Sequence, residues 1–271
     1  MKTKSIILTL ATGLLLANCI EDIEKQAQPY FLRAQQSYAS QQYALAKLQI
    51  DSIKQLYPKA FDTRTQAQAL LIDVELAEAR AGKAYTDSLL TAAQAKAEPL
   101  AKVLYLDKDA RYQDIGTYYA SRHRTEKNVG KSYLRPQTDE RGTFTITSFY
   151  RGRAITPQTL RFAAPDGSYV DLQSTAEPYV MSDATGYTER TDFAATPDVA
   201  HFVAQHTTVK VTLIGEKSKA QIPFAKAEAQ ALAQVAEFAA TLQSVATLQS
   251  QQEELARRIA FYEQRQAQRH F

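Results

Sequence analysis

The sequence predicts an α+β protein. Helical hairpins stand at the amino-terminal end, a small antiparallel β-sandwich in the middle, and one long helix at the carboxyl end. Three observations predict this. Apolar and small residues recur every three or four positions over residues 29–106. Alternating β-branched and aromatic residues then take over, in short runs between turn signals, across 143–214. From Phe224 to the end there is no Gly or Pro, and the three-and-four spacing returns.

The chain opens on Lys2 and Lys4, followed by the apolar run Ile6-Ile7-Leu8-Thr9-Leu10-Ala11-Thr12-Gly13-Leu14-Leu15-Leu16, which ends in Leu16-Ala17-Asn18-Cys19. A positive start, a short apolar centre and small or polar residues before a cut describe a signal peptide over 1–18. The run falls short of the roughly 20 apolar residues of a membrane span, and no other run approaches that length. Cys19 is the sole cysteine, so no internal disulfide is available and cysteine-held metal is excluded. Its placement resembles the lipobox of bacterial lipoproteins, in which the thiol receives a diacylglycerol and the leader is cut just before it. The new amino terminus is then usually acylated. The resemblance implies stable anchoring by two or more acyl chains. Asn18 departs from the usual Gly, Ala or Ser before the cysteine. The alternative is an ordinary signal-peptidase cut that leaves a free thiol, a liability in an oxidising compartment. Residues 19–28 form a tether with Glu21, Asp22 and Glu24. It is similar to the acidic tethers of outer-surface lipoproteins in Bacteroidetes, or else it is an acidic first helical turn favoured by the helix dipole.

The helical region is assigned to 29–110. Tyr30, Ala34 and Tyr38 share one face, and after a polar break Tyr43, Ala46, Ile50 and Ile53 share another. Alanines at 34 and 46 permit close helix approach, and Pro58 stops the second helix. The pair resembles a single tetratricopeptide-type hairpin, with no second copy at a period of about 34 residues. A third helix is expected over Thr65–Ala81 on Ala67, Leu70, Leu71, Val74 and Ala77, with Gly82 as its C-cap. A fourth is expected over Ala84–Lys96. Pro99 then kinks or restarts it, and Leu100, Val103, Leu104 and Leu106 continue an apolar face.

Residues 111–140 are polar and mixed, and read as a linker. They carry the densest positive charge, running from Arg122, His123 and Arg124 to Lys131 and Arg135, and joined by Arg151, Arg153 and Arg161. This is either a solvated connector or a surface for anionic lipid, polysaccharide or an acidic partner. The sandwich is assigned to 141–222. Its strands are Thr143–Tyr150, between Gly142 and Gly152, then Leu160–Phe162, Tyr169–Leu172 after the turn Pro165-Asp166-Gly167, Val199–Val203, and Thr208–Ile214 before Gly215. The final segment, 223–271, begins at Pro223, a residue suited to a helix start. Leu232, Val235, Phe238, Leu242 and Val245 step as a heptad seam. The register then slips onto Leu248, Leu255, Ile259 and Tyr262. Such a helix either pairs with a second chain or folds back along the amino-terminal helices. The fold-back is preferred because those helices need a partner for their apolar faces.

The order of parts resembles an uncharacterised family of Bacteroidetes lipoproteins with a lipidated leader, a helical hairpin, a β-region and a long carboxyl-terminal helix. The local signatures are Tyr112-Gln113-Asp114-Ile115-Gly116-Thr117-Tyr118, Asp139-Glu140-Arg141-Gly142 running into the next strand, and Val209–Gly215 followed by Lys217. The resemblance implies a cell-envelope location, with outer-membrane anchoring through Cys19, and lends no catalytic residue.

The leader holds two of the 32 Lys and Arg residues and none of the 29 acids, so the mature chain is close to neutral. That balance argues against nucleic-acid binding, which rests on clustered cations. His123, His201, His206 and His270 show no metal-ligand spacing. Nucleophile elbows and phosphate loops are absent. Asp183 and Asp192 flank Gly186-Tyr187-Thr188-Glu189-Arg190, a carboxylate pair of the type glycosidases use, here in what reads as a solvated loop. No catalytic residue, metal or cofactor is assigned. The expected role is a non-catalytic envelope lipoprotein that binds a protein partner or pairs with a second copy through its long helix. The alternative is a lipoprotein holding a sugar or peptide on its sandwich, with Phe149, Tyr150, Tyr169, Tyr179 and Tyr187 as ligand-facing aromatics.

Overall fold

The computed structural model describes the backbone over 7–183 and 186–270, and the side chains from Ile23 onward within those ranges except those of Asp183 and His270. The side chains of the leader, and with them Cys19, lie outside the described residues. The fold is α+β. Its α-helices are α1 (Ile7–Ala39), α2 (Tyr43–Leu56), α3 (Phe61–Val103), α4 (Pro197–Gln205) and α5 (Lys226–Ala267). Two antiparallel sheets, of six and four strands, lie between α3 and α5 in sequence. The chain divides into two compact units, one built from the segments up to Ser88 and from Ser250 onward, the other from Leu89–Gln249.

In the first unit α1 and α2 form an antiparallel hairpin across a short turn, where Gln41 takes a positive φ of 59°. Ala34 and Ala46 are fully buried, so the helices meet closely over Phe31, Ile50 and Ile53, and Ala67, Leu70 and Val74 of α3 complete the cluster. Glu24 caps α3 from outside the helix. Its carboxylate accepts the backbone N–H groups of Asp62 and Thr63 at 3.0 and 3.1 Å and the Thr63 hydroxyl at 2.6 Å.

Helix α3 runs unbroken where the sequence predicts two helices separated at Gly82. The glycine has a packing role instead, since a methyl group there would lie 3.4 Å from Leu255 Cδ2. Pro99 is also accommodated inside the helix. The carboxyl-terminal segment of α5 packs back along α3 through polar contacts. Gln252 donates to Asp87 at 2.7 Å, Arg258 to Glu75 at 3.0 Å, and Gln266 to Asp73 at 2.8 Å.

The second unit holds β1 (Tyr105–Asp107), β2 (Thr117–Tyr119), β3 (Tyr133–Asp139), β4 (Phe144–Arg151), β5 (Thr159–Ala163), β6 (Tyr169–Gln173), β7 (Tyr179–Asp183), β8 (Gly186–Ala194), β9 (Lys210–Ile214) and β10 (Lys219–Ile222). The six-stranded sheet has the order β1-β2-β3-β4-β8-β7, and the four-stranded sheet β10-β9-β5-β6. Leu134, Ile146 and Phe193 of the larger sheet join Leu160, Phe162 and Leu213 of the smaller in one apolar core. Val199 and Val203 of α4 and Leu232, Val235 and Phe238 of α5 enter the same core. The first part of the heptad seam is therefore buried within its own unit.

Three further segments differ from the sequence expectation. The stretch 111–140 is no bare linker, since it contains β2 and β3. The alternation of β3 is hidden because Pro136 and Thr138 occupy its inward positions beside Leu134. The loop expected between Asp183 and Asp192 belongs to the hairpin β7–β8. Val199–Val203 is helical, because Pro197 sits at the first helical position and Val199 and Val203, four apart, share the buried face.

Two glycines separate conformational from steric need. Gly215 lies where a Cβ would fall on the Ile155 carbonyl oxygen, whereas Gly167, at φ +90°, has open space around it. Gly215→Ala is expected to cost about 3 kcal/mol because backbone must move. Gly167→Ala is expected to cost about 1–2 kcal/mol from the left-handed conformation alone. Urea titration of both variants checks the order, and equal costs would show that the Ile155 contact is unimportant.

Candidate functional site

Alternate residues of a strand face opposite sides of a sheet, so pairing register decides which side chains of the larger sheet share its outer face. Tyr105 pairs with Tyr119, Tyr133 with Phe149, Phe149 with Arg190, and Arg190 with Tyr179. Arg135, two residues after Tyr133, joins them. Leu134, Ile146 and Phe193 take the inner face and enter the core. The outer face thus collects aromatic rings and guanidinium groups.

Arg135 is central to this face. It is only 7% exposed. Its guanidinium carbon lies 4.5 Å from the Tyr119 ring centre and 4.8 Å from that of Phe149. Nε donates to Gln137 Oε1 at 3.0 Å, and no described carboxylate lies within ion-pair distance of the group. Burial pulls its pKa below the ordinary value, but an arginine of such basicity keeps its charge. The rings continue as a stack. Tyr133 lies on Phe149 at 4.6 Å and 5° between planes, and His123 lies on Tyr133 at 6.3 Å and 19°. Arg190 stands 5.9 Å over Phe149. Tyr119 donates its hydroxyl to Asp107 at 2.7 Å.

A cavity of about 320 Å³ opens on this face. Arg135, Arg190 and Asp107 supply its charges, Phe149, Tyr179 and Met181 its apolar surface, and Thr125 and Thr188 its hydroxyls. Thr125 belongs to a short 3-10 turn after β2, next to the turn Ser121–His123 that places His123. The set suits binding: cations for an anionic group, rings for a flat or apolar body, and oxygen atoms for hydroxyl groups.

Of the five aromatics the sequence singles out, Phe149 and Tyr179 meet at this cavity. Tyr150 faces inward and packs against the core. Tyr169 lies on β6 of the other sheet, with the Arg161 guanidinium 4.0 Å above its ring. Tyr187 also faces inward, where its hydroxyl donates to Glu189 at 2.8 Å, and burial with that bond pushes its pKa up to about 12. Fully buried Glu189 is saturated, since it also accepts the N–H groups of Ile155 and Thr156 at 3.0 Å.

The carboxylate pair does not form a site within the described residues. Asp192 accepts from the Thr147 hydroxyl, and the Asp183 side chain lies outside the described residues. His206 Nε2 approaches both Ser168 and Asp166, at 3.4 and 3.5 Å. The serine donates to Asp166 rather than to the ring, while Nδ1 contacts the Phe202 carbonyl at 2.8 Å, so no Ser-His-Asp relay is assembled. Among the described residues no group of three His, Cys, Asp or Glu side chains is placed to hold a metal, and no helix is long and apolar enough to cross a membrane.

Sequence reading missed Arg135, Arg190 and Asp107 as partners. The one available signal was the period-two order Tyr133-x-Arg135-x-Gln137, obscured by the surrounding charge. The sequence matches no protein-family model, no curated protein and no solved structure.

His123 supplies a pH prediction. It is 2% exposed and both ring nitrogens lack hydrogen-bond partners. Burial, with Arg122 and Arg135 nearby, lowers its pKa to about 4. The unfolded chain protonates this ring near pH 6.5, so acid favours the unfolded state across the window between the two values. Stability is complete above about pH 6.5 and falls toward pH 4, by up to about 3 kcal/mol. Urea titrations at pH 7.5 and 4.5 measure the loss. His123→Phe keeps an aromatic ring on Tyr133 and should remove most of it, and an unchanged pH dependence in that variant would refute the assignment.

Proposed function

We propose that this chain is a non-catalytic, lipid-anchored protein of the cell envelope that binds a sugar or peptide ligand on the outer face of its six-stranded sheet. The observation that carries the reading is Arg135, a buried guanidinium clasped between Tyr119 and Phe149 without a described carboxylate partner, at the wall of a cavity. A charge held out of water at this cost is retained where it has a partner to meet. The anchor is the lipid on Cys19, which places the protein at the outer membrane. The two sheets read as the leaves of a small antiparallel sandwich, and α1–α2 as one tetratricopeptide-like hairpin.

A second reading makes the chain a scaffold subunit that engages a protein partner or a second copy through its helices. It draws support from a groove of about 560 Å³ lined by α2 and α3, where Phe61 is 62% exposed beside Lys54 and Arg64. The exposed ring of Phe261 gives α5 a further contact point.

Metabolic labelling with a fatty acid, followed by membrane fractionation, tests the anchor. Wild type should carry label and sediment with membranes, and Cys19→Ser should do neither. Label retained in that variant would refute lipidation at Cys19. The full chain is then melted in detergent against a panel of sugars and peptides. Stabilisation by one ligand class, reduced in Phe149→Ala, supports the binding reading. If no ligand shifts the melt but Phe61→Ala releases a stoichiometric crosslinked partner, the scaffold reading replaces it.

A further inference from the structure

We infer that the cavity on the six-stranded sheet takes a monoanionic, hydroxyl-rich ring, and specifically the uronic-acid unit of an acidic polysaccharide. The inference rests on the binding reading above and narrows it to one ligand class.

The anionic requirement comes first. Arg135 has five N–H donors. Gln137 takes the one on Nε, and the others have no described acceptor in the protein although the residue lines the cavity. Arg190 lines the same cavity, and its nearest carboxylate is Asp192 at 3.5 Å, on its own strand. Two guanidiniums on one aromatic ring, Phe149, repel each other. A carboxylate placed between them relieves that repulsion and matches the planar fork of either group.

The rest of the wall restricts the anion. Asp107 also lines the cavity, and a carboxylate there disfavours a dianion such as a phosphate monoester. It favours ligand hydroxyls, because an ionised carboxylate only accepts hydrogen bonds. One of its oxygens accepts a hydrogen bond from the Tyr119 hydroxyl, which leaves the other for the ligand. Thr125 and Thr188 add hydroxyls that both donate and accept. The Tyr179 ring and Met181, both more than half exposed, supply a flat apolar surface for the C–H face of a sugar. A volume of about 320 Å³ stands at the small end of ligand sites and suits one ring rather than an extended chain.

Calorimetric titration of the full chain in detergent tests this with six probes: galacturonate and glucuronate oligosaccharides, their neutral galactose and glucose counterparts, inorganic phosphate, and a glutamate-rich peptide. Uronate binding is expected at least tenfold tighter than binding of the neutral sugars. Arg190→Gln, at an exposed position, should weaken it on the order of tenfold to a hundredfold in a sample whose melting confirms folding. Arg135→Gln should do the same in a sample whose melting confirms folding. Neutral sugars binding as well as uronates would overturn the inference and leave the binding reading standing. Preference for phosphate or for the peptide would likewise overturn it in favour of that ligand. No binding by any probe would count against both.

Discussion

Taking a guanidinium out of water costs several kcal/mol unless its charge is met, and the outer face of the six-stranded sheet is organised around meeting that cost at Arg135. Tyr119 offers its ring from β2 and Phe149 from β4. Tyr133 and His123 extend the stack, so the rings support one another. A cation over a desolvated ring gains about 2 kcal/mol or more. Two rings together with the Gln137 hydrogen bond offset much of the burial. The strand register is therefore a functional constraint, because a slip of one residue in β3 would carry Arg135 into the apolar core.

The same unit contains a second buried charge handled in the opposite way. Glu189 is fully buried, but two backbone N–H groups and the Tyr187 hydroxyl saturate its carboxylate. It fixes the turn at Ile155 and Thr156, the same backbone that passes closely over Gly215. A saturated carboxylate of this kind builds structure. An arginine with unused donors at a cavity is left able to meet something else, and that contrast makes Arg135, rather than Glu189, the candidate for recognition.

Much of the fold was legible because local signals agreed with the outcome. The change from three-and-four spacing to alternation located the β-region from β4 onward but not β1 to β3, and the absence of Gly and Pro after Phe224 located α5. The signals misled where packing overrode them. Gly82 and Pro99 read as helix punctuation, yet α3 continues through both, and Gly82 serves close contact with Leu255. Val199–Val203 is apolar enough for either strand or helix, and Pro197 decides the matter. At the site, Phe149 stood out as a strand aromatic and Tyr179 as an aromatic outside any expected strand. Arg135 did not, because its meaning depends on Tyr119 and Phe149, which reach it only through the pairing of β2, β3 and β4. Charge density in sequence cannot separate a solvated cation from one enclosed by rings on neighbouring strands.

The return of α5 to α3 gives the first unit an unusual order of assembly. Asp73 meets Gln266 and Asp87 meets Gln252, so the whole of Leu89–Gln249 is, in chain terms, an insertion within that unit. As the polypeptide is synthesised, the start of α3 emerges long before the segment that packs on it. That stretch of α3 must wait, with its polar contacts incomplete, until nearly the last residue has been made. The inserted unit is continuous in sequence and is free to fold first. Its folding brings its two ends to fixed positions and shortens the loop that remains to be closed, which lowers the entropic cost of the final step.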